Sequence, residues 1–182
     1  MRSDGLIQKS AREENMKTLT MMFFIILMGS LVFGVTGCGK KQEAKKSQTV
    51  ATSPLPDDAF KVKISIENPP SSIKINSSTQ MKVKVKNISS VVWPSKGEPN
   101  AQYGINLSYH WLDKGGRVVV HDGVRTSLPY DIHPDEEVML DALVAAPNNA
   151  GEYFLEWEMV QEGVSWFKDK GGKTSRIHVK IE

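Results

Sequence analysis

Histidines and closely spaced carboxylates are the residues of this 182-residue sequence whose types could do chemistry. His110, His121, Asp122, His133 and His178 are the widest set that could ligate a transition metal. A zinc site needs three or four convergent ligands, usually at short fixed spacings. These residues match no such spacing, and His121-Asp122-Gly123 reads first as a turn, so neither a metal nor a cofactor is expected. Glu156 and Glu158, two apart, suggest the carboxylate pair of a glycosidase. Same-face neighbours on one strand project in parallel, whereas that reaction needs carboxyl groups on both sides of the scissile bond. Cross-strand pairing with His178 or Lys180 on a solvated face is expected instead. The sequence holds no Gly-x-Ser-x-Gly elbow, phosphate-binding Walker loop, His-Glu-x-x-His or Cys-x-x-Cys, and a non-enzymatic protein is the expectation.

Aromatic rings are the better binding candidates. Tyr109, Trp111, Tyr153 and Trp157 fall on apolar faces of alternating segments and belong to a core. Trp93 and the pair Trp166-Phe167 fall in connections between such segments. There they could stack on sugar rings or anchor a protein partner, or instead plug the open end of a sandwich. Charge adds a second candidate surface. Residues 60–90 carry six Lys against one Glu, and residues 91–182 carry nine Lys or Arg against fourteen Asp or Glu. The total is balanced, unlike the strongly basic proteins that bind nucleic acid. Lys82, Lys84 and Lys86 share one strand face, with Lys61 and Lys63 placed to lie beside them. That face reads either as an edge guarded against aggregation or as one turned toward an anionic membrane or acidic glycan.

The elements that position these residues begin only after a different kind of segment. Residues 1–15 are polar and show no apolar periodicity, and Met16 is the more usual start for a signal segment, so 1–15 read as an over-extended start. Residues 16–37 have a short basic flank, an uncharged apolar run and small terminal residues, the pattern of a secretory signal. Val35-Thr36-Gly37-Cys38 resembles the lipobox of bacterial lipoproteins. That resemblance implies cleavage before Cys38, the sole cysteine, and acylation of its thiol, which anchors the chain to a membrane. Two or three acyl chains at ~0.8 kcal/mol per buried methylene hold such an anchor. Gly39 lacks the aspartate associated with inner-membrane retention in Gram-negative lipoproteins. The periplasmic side of an outer membrane is therefore expected in a Gram-negative cell, and the outer face of the cell membrane otherwise. Residues 38–59, Lys-rich and then Ser/Thr/Pro-containing, read as a disordered tether with a root-mean-square reach of about 25 Å.

Residues 60–182 change to period two. Phe60, Val62, Ile64 and Ile66 alternate with polar residues, as do Met81, Val83 and Val85. Ile105, Leu107, Tyr109 and Trp111 come next, then a hairpin turn at Asp113-Lys-Gly-Gly116 and Val118-Val-Val120. Further strands are expected over 138–145, Tyr153–Met159 and Ile177–Ile181. Seven or eight short strands and no 3.6-residue stripe predict an all-β, single immunoglobulin-like (fibronectin III-like) sandwich. Pro147-Asn-Asn-Ala-Gly-Glu-Tyr153 places a tyrosine where such folds put their tyrosine corner, and Leu155 stands where antibody domains carry their second cysteine.

The stretches Asn87–Pro94, Leu107–Asp113, Asp122–Pro129, Ala146–Tyr153 and Gln161–Phe167 are similar to a bacterial Ig-like domain. That domain is an accessory module of glycosyltransferases, methyltransferases and exporter subunits in surface-polysaccharide pathways. More distantly they resemble the four-tryptophan Ig-like domain of selective-autophagy receptors. The resemblance spans about residues 80–170 and implies binding or assembly. The expectation is an envelope lipoprotein whose sandwich binds a glycan or an envelope protein. A structural subunit of an envelope assembly is the alternative, and a polysaccharide hydrolase the third reading. Replacing the sole thiol tests the anchor: Cys38→Ser should abolish metabolic acyl labelling and leave the precursor uncleaved, both visible as a mobility shift on gels.

Overall fold

The computed structural model describes residues 46–182. The expected over-extended start, signal segment, Cys38 and the first part of the tether lie outside the described residues. Within them the strands are β1 (Val62–Glu67), β2 (Ser72–Ile73), β3 (Ser78–Asn87), β4 (Ile105–Asp113), β5 (Val118–Val120), β6 (Thr126–Ser127), β7 (Glu137–Ala145), β8 (Gly151–Gln161), β9 (Ser165–Trp166) and β10 (Ser175–Ile181). Two single 3-10 turns occur, at Asp57–Ala59 and Lys168–Lys170. Among the described residues no helix is long and apolar enough to cross a membrane.

Period-two patterning requires each sheet to bury one face, and the strands satisfy this as two layers. One sheet runs β1-β3-β7 and the other β2-β10-β8-β4-β5, with β6 on β4 and β9 on β8. All pairings are antiparallel except β2 with β10. This is the sheet division of an immunoglobulin-type sandwich. The inner faces supply Val62, Met81, Val83, Val85, Val138, Leu140, Ala142 and Val144 from one layer, and Leu107, Tyr109, Trp111, Leu155, Trp157 and Val179 from the other. Tyr109 and Trp111 also tie the layers together. The Ala145 amide donates to the Tyr109 hydroxyl at 2.8 Å, and the Trp111 indole donates to the Ala145 carbonyl at 2.9 Å. The expected tyrosine corner forms: the Tyr153 hydroxyl donates to the Asn149 carbonyl at 3.1 Å. Leu155 is fully buried in the cystine position.

The seven strands legible in the sequence are all present. The three without a sequence signal, β2, β6 and β9, have two residues each and no room for a period. The larger departure is at the N-terminal boundary. Residues 46–59, expected in the disordered tether, pack along the sandwich. The Val50 backbone bridges to Lys96, Ala51 donates to the Lys96 carbonyl, and Ala51 and Ala59 are buried. Asp131 is the reason. Its buried carboxylate accepts the Thr49 amide at 2.8 and 3.0 Å and the Ser95 amide at 2.8 Å. It thereby staples this arm to two loops distant in sequence.

Burial alone would raise the Asp131 carboxyl, but the Thr49 and Ser95 amides outweigh it and hold the group below its ordinary range. A carboxyl depressed in this way contributes stability above its unfolded value of ~3.9, and that stability is lost as the pH falls through the folded value. Asp131→Ala should cost about 1–3 kcal/mol at pH 7, chiefly from the buried Ser95 amide left unpaired. Urea melts should show this cost shrinking below pH ~4, where wild type loses the same contribution.

Candidate functional site

The aromatic end resolves into packing. Trp93 is fully buried, its indole donating to the Ala59 carbonyl at 3.1 Å, and its backbone bridges to Ile132. Phe167 is equally buried. It meets Phe60 edge-on at 4.9 Å and Trp93 at 5.2 Å between ring centroids. These three rings close the end of the sandwich under the N-terminal arm. Trp93 and Phe167, candidate binding residues by sequence, therefore present no ligand platform. Their positions in connections suggest exposure, and nothing in the sequence shows that residues 46–60 fold back over them.

Trp166 goes the other way. Neighbours on a strand point to opposite faces, so as Phe167 enters the core Trp166 lies half-buried on the outer face of the β4–β8 sheet. There it covers His110 at 4.4 Å between centroids and meets His121 at 5.5 Å, with the Arg125 guanidinium 4.8 Å over its ring. Arg125 also bonds Glu162 at 2.8 Å, Asp122 at 3.1 Å and the Ser108 hydroxyl at 3.0 Å. Burial disfavours its charge, but Glu162 and Asp122 overcome that and hold its pKa above the ordinary value. The segment carrying His121 to Arg125 lies flat on β4. The Gly123 amide donates to the Tyr109 carbonyl at 3.0 Å, and a Cβ at Gly123 would stand 2.6 Å from that oxygen.

Beneath Trp166 sit the carboxylates expected on a solvated face. Glu156 and Glu158 are 3% and 2% exposed, and His110 is 5% exposed. The His110 Nδ1 faces the His121 carbonyl oxygen, and Nε2 lies 3.2 Å from Glu158 Oε2. A carbonyl only accepts, so Nδ1 is the donor in that contact, and Nε2 is the nitrogen turned to the carboxylate. The other Glu158 oxygen accepts the Lys168 amide at 2.7 Å. Glu156 binds Arg176 at 2.7 Å, Lys168 at 3.0 Å and Thr174 at 3.2 Å. Burial opposes its charge, yet the Arg176 and Lys168 cations prevail and hold its carboxyl below the ordinary range. The partners differ from those expected: Arg176 faces Glu156 across the sheet, and His178 instead pairs with Glu152 at 3.0 Å. The signals available were Trp166, two residues from Lys168, and a glycine at 123.

This cluster holds a His–carboxylate pair, the usual core of general-base chemistry. The Ser108 hydroxyl, on the same strand, is itself occupied: it donates to the Gly123 carbonyl and accepts from Arg125. The buried members, His110, Glu156, Glu158 and Ser108, are each engaged by neighbouring protein groups, and Trp166 covers the imidazole. His133 and His178 lie elsewhere, and among the described residues no group of three or more His, Cys, Asp or Glu could hold a metal ion.

The lysine face also changes character. Lys82, Lys84 and Lys86 do share the outer face of the β1-β3-β7 sheet, and Lys63 lies opposite Lys86. Each β3 lysine, however, meets an acid from β7 or the turn before it. Lys82 lies 3.0 Å from Asp141, Lys84 3.6 Å from Glu137 and Lys86 3.1 Å from Asp135. The basic and acidic halves of the sequence therefore cancel across β3 and β7. Lys61 and Lys63 remain exposed, with no carboxylate within 4.0 Å among the described residues.

No protein-family model matches the sequence, and no characterised protein matches it at a significant level. Among solved structures, the CARDB domain of a Pyrococcus furiosus protein, in complex with di-metal ions, is 16% identical with a TM-score of 0.40. The match covers 67% of this chain and 86% of that one. A β-glucosidase from Listeria innocua, in complex with laminaribiose, is 11% identical with a TM-score of 0.41, over 67% of this chain and 16% of the enzyme. Spo0M, a sporulation control protein from Bacillus subtilis, is 16% identical with a TM-score of 0.39, over 67% and 49%. Stability measurements separate plug from platform: Trp93→Ala should cost ~3–5 kcal/mol, the penalty for a fully buried aromatic. A urea midpoint unchanged from wild type would show the ring to be dispensable to packing.

Proposed function

We propose that this chain is a lipid-anchored protein of a bacterial cell envelope. Its Ig-like sandwich is a non-catalytic module that binds an envelope protein. The observation that carries the choice of protein over glycan is the burial of Trp93 and Phe167. Sugar-stacking sites need ring faces open to solvent, and among the described residues every aromatic side chain is buried or half-buried. The non-catalytic reading draws support from the Glu156–Glu158–His110 cluster, which is buried and engaged by internal partners. The envelope location rests on the Val35–Cys38 lipobox resemblance.

Photo-crosslinking side chains placed in turn at the exposed positions Val119, Val124 and Leu143 test this reading in growing cells. A discrete adduct with one envelope protein is expected, and purified acylated protein should leave envelope polysaccharide in solution. Retention on polysaccharide without any protein adduct would transfer the function to glycan binding. Release of sugar from that polysaccharide would make the protein an enzyme.

A further inference from the structure

Because residues from 46 onward already pack on the sandwich, at most residues 39–45 separate the packed arm from Cys38. Seven residues span at most about 25 Å fully extended, from ~3.3–3.6 Å each. The point of attachment is fixed on the domain. Lys46 binds Glu136 at 2.8 Å and sits 3.6 Å over the Tyr130 ring, and the Ser47 carbonyl accepts the Asp131 amide. Glu136 precedes β7, and the Asn87 amide that ends β3 donates to its carbonyl. The chain therefore enters at the end of the sandwich where β3 finishes and β7 begins.

That end presents three of the exposed large aliphatic side chains. Val50, Ile88 and Val92, at 50%, 44% and 39% exposed, all belong to it. Val50 is on the entering arm, and Ile88 and Val92 are in the turn after β3. Two exposed lysines flank them. The Lys61 carbonyl accepts the Ile88 amide, and Lys96 bridges to Val50. Among the described residues neither has a carboxylate within 4.0 Å. Of the acids here, Glu136, Asp135 and Asp57 are paired with Lys46, Lys86 and Lys170, and Asp131 is buried under its amides. Glu98 and Asp58 remain.

We infer that this end of the sandwich, presenting Val50, Ile88, Val92, Lys61 and Lys96, rests on the phospholipid surface that holds the acyl chains of Cys38. The inference depends on the lipid anchor proposed above and adds an orientation to it. The tether dictates the end: Ile105 pairs with Gln161, which bonds Ser53 and Leu55 of the arm, whereas Val118 faces Leu112, about 23 Å further along β4 at ~3.3 Å per residue. The free lysines suit anionic headgroups near such a surface. The aliphatic side chains sit at the boundary between headgroup and acyl regions. With the entering end held down, the β5 end projects away from the membrane.

Depth-dependent quenching tests the orientation on the full-length protein isolated from membranes. Mass spectrometry first establishes acylation, which leaves an introduced cysteine as the only free thiol. An unmodified Cys38 would remove the anchor reading and this inference with it. Val92→Cys and Val118→Cys, each labelled with bimane, are then placed in vesicles of phosphatidylethanolamine and phosphatidylglycerol carrying a headgroup nitroxide. Urea melts matching wild type certify the fold of each. The label at 92 should lose most of its emission and the label at 118 should keep its own. Equal quenching at both, or none at either in an acylated protein, would overturn the orientation while leaving the anchor intact. In a protein lengthened by a long Gly-Ser insertion after Glu43, Lys61→Glu with Lys96→Glu should reduce quenching at 92. Unchanged quenching there would overturn the role given to this face.

Discussion

The pairing of β4 with β8, continuous from Ile105 opposite Gln161 to Asp113 opposite Tyr153, places both strands at the centre of the larger sheet. Along most of their length they are buried on both faces. An antiparallel sheet in a two-layer sandwich normally leaves one face to water. Here the outer face is roofed by the segment from His121 to Arg125, by β9 and by the 3-10 turn at Lys168–Lys170. Whatever polar side chains point outward from β4 and β8 must then find partners inside, because an unpaired buried charge is among the most destabilising features a fold can contain. His110, Glu156 and Glu158 do so, through the His121 carbonyl, the Lys168 amide and the Arg176 and Lys168 cations. The roof and the buried charges hold each other in place.

The same constraint explains what is legible in the sequence. Period two locates β1, β3, β4, β5, β7, β8 and β10, and the spacing from Pro147 to Tyr153 locates the tyrosine corner, because both are local patterns. Alternation also marks Glu156 and Glu158 as outward-facing, and this is correct. It does not distinguish an outward face in water from one under a roof, since a paired buried glutamate and a solvated one look alike in a sequence. The distinction depends on Trp166 and Gly123, forty-three residues apart in the chain and joined only by the fold. Trp166 and Phe167 illustrate the limit. As adjacent residues they resemble one aromatic feature, whereas strand geometry sends one onto the roof and the other into the core.

Residues 46–59 show the opposite error, order where composition indicates disorder. A Ser/Thr/Pro-containing segment cannot form a core alone, but it can be held by one to which it contributes little. Ala51 and Ala59 are small, and the arm is fixed mainly by backbone hydrogen bonds to Lys96 and by the Asp131 carboxylate. The partner lies 82 residues beyond Thr49, so no window along the sequence contains both. The charge asymmetry misleads for the same reason. The lysines of β3 and the acids around β7 are far apart in the chain but adjacent in the sheet, and exposed pairs of this kind contribute only ~0–1 kcal/mol each. They neutralise the face more than they stabilise it.

What remains outward after these cancellations bears on function. The aromatic rings are inside or half-covered, the β3 lysines are neutralised, and the buried carboxylates are engaged by internal partners. Among the described residues Lys61, Lys63 and Lys96 keep no carboxylate within 4.0 Å, and apart from Leu143 on β7 the exposed large aliphatic side chains sit in two places. Val50, Ile88 and Val92 lie where the chain enters, and Val118, Val119 and Val124 lie along β5 and the segment after it. β5 is a terminal strand of its sheet, and such a strand has backbone donors and acceptors that no neighbour uses. An arrangement in which the first group rests on lipid and the second is held away from it gives each unsatisfied surface a distinct environment. It also places the strand edge of a membrane-anchored sandwich where another envelope protein can reach it.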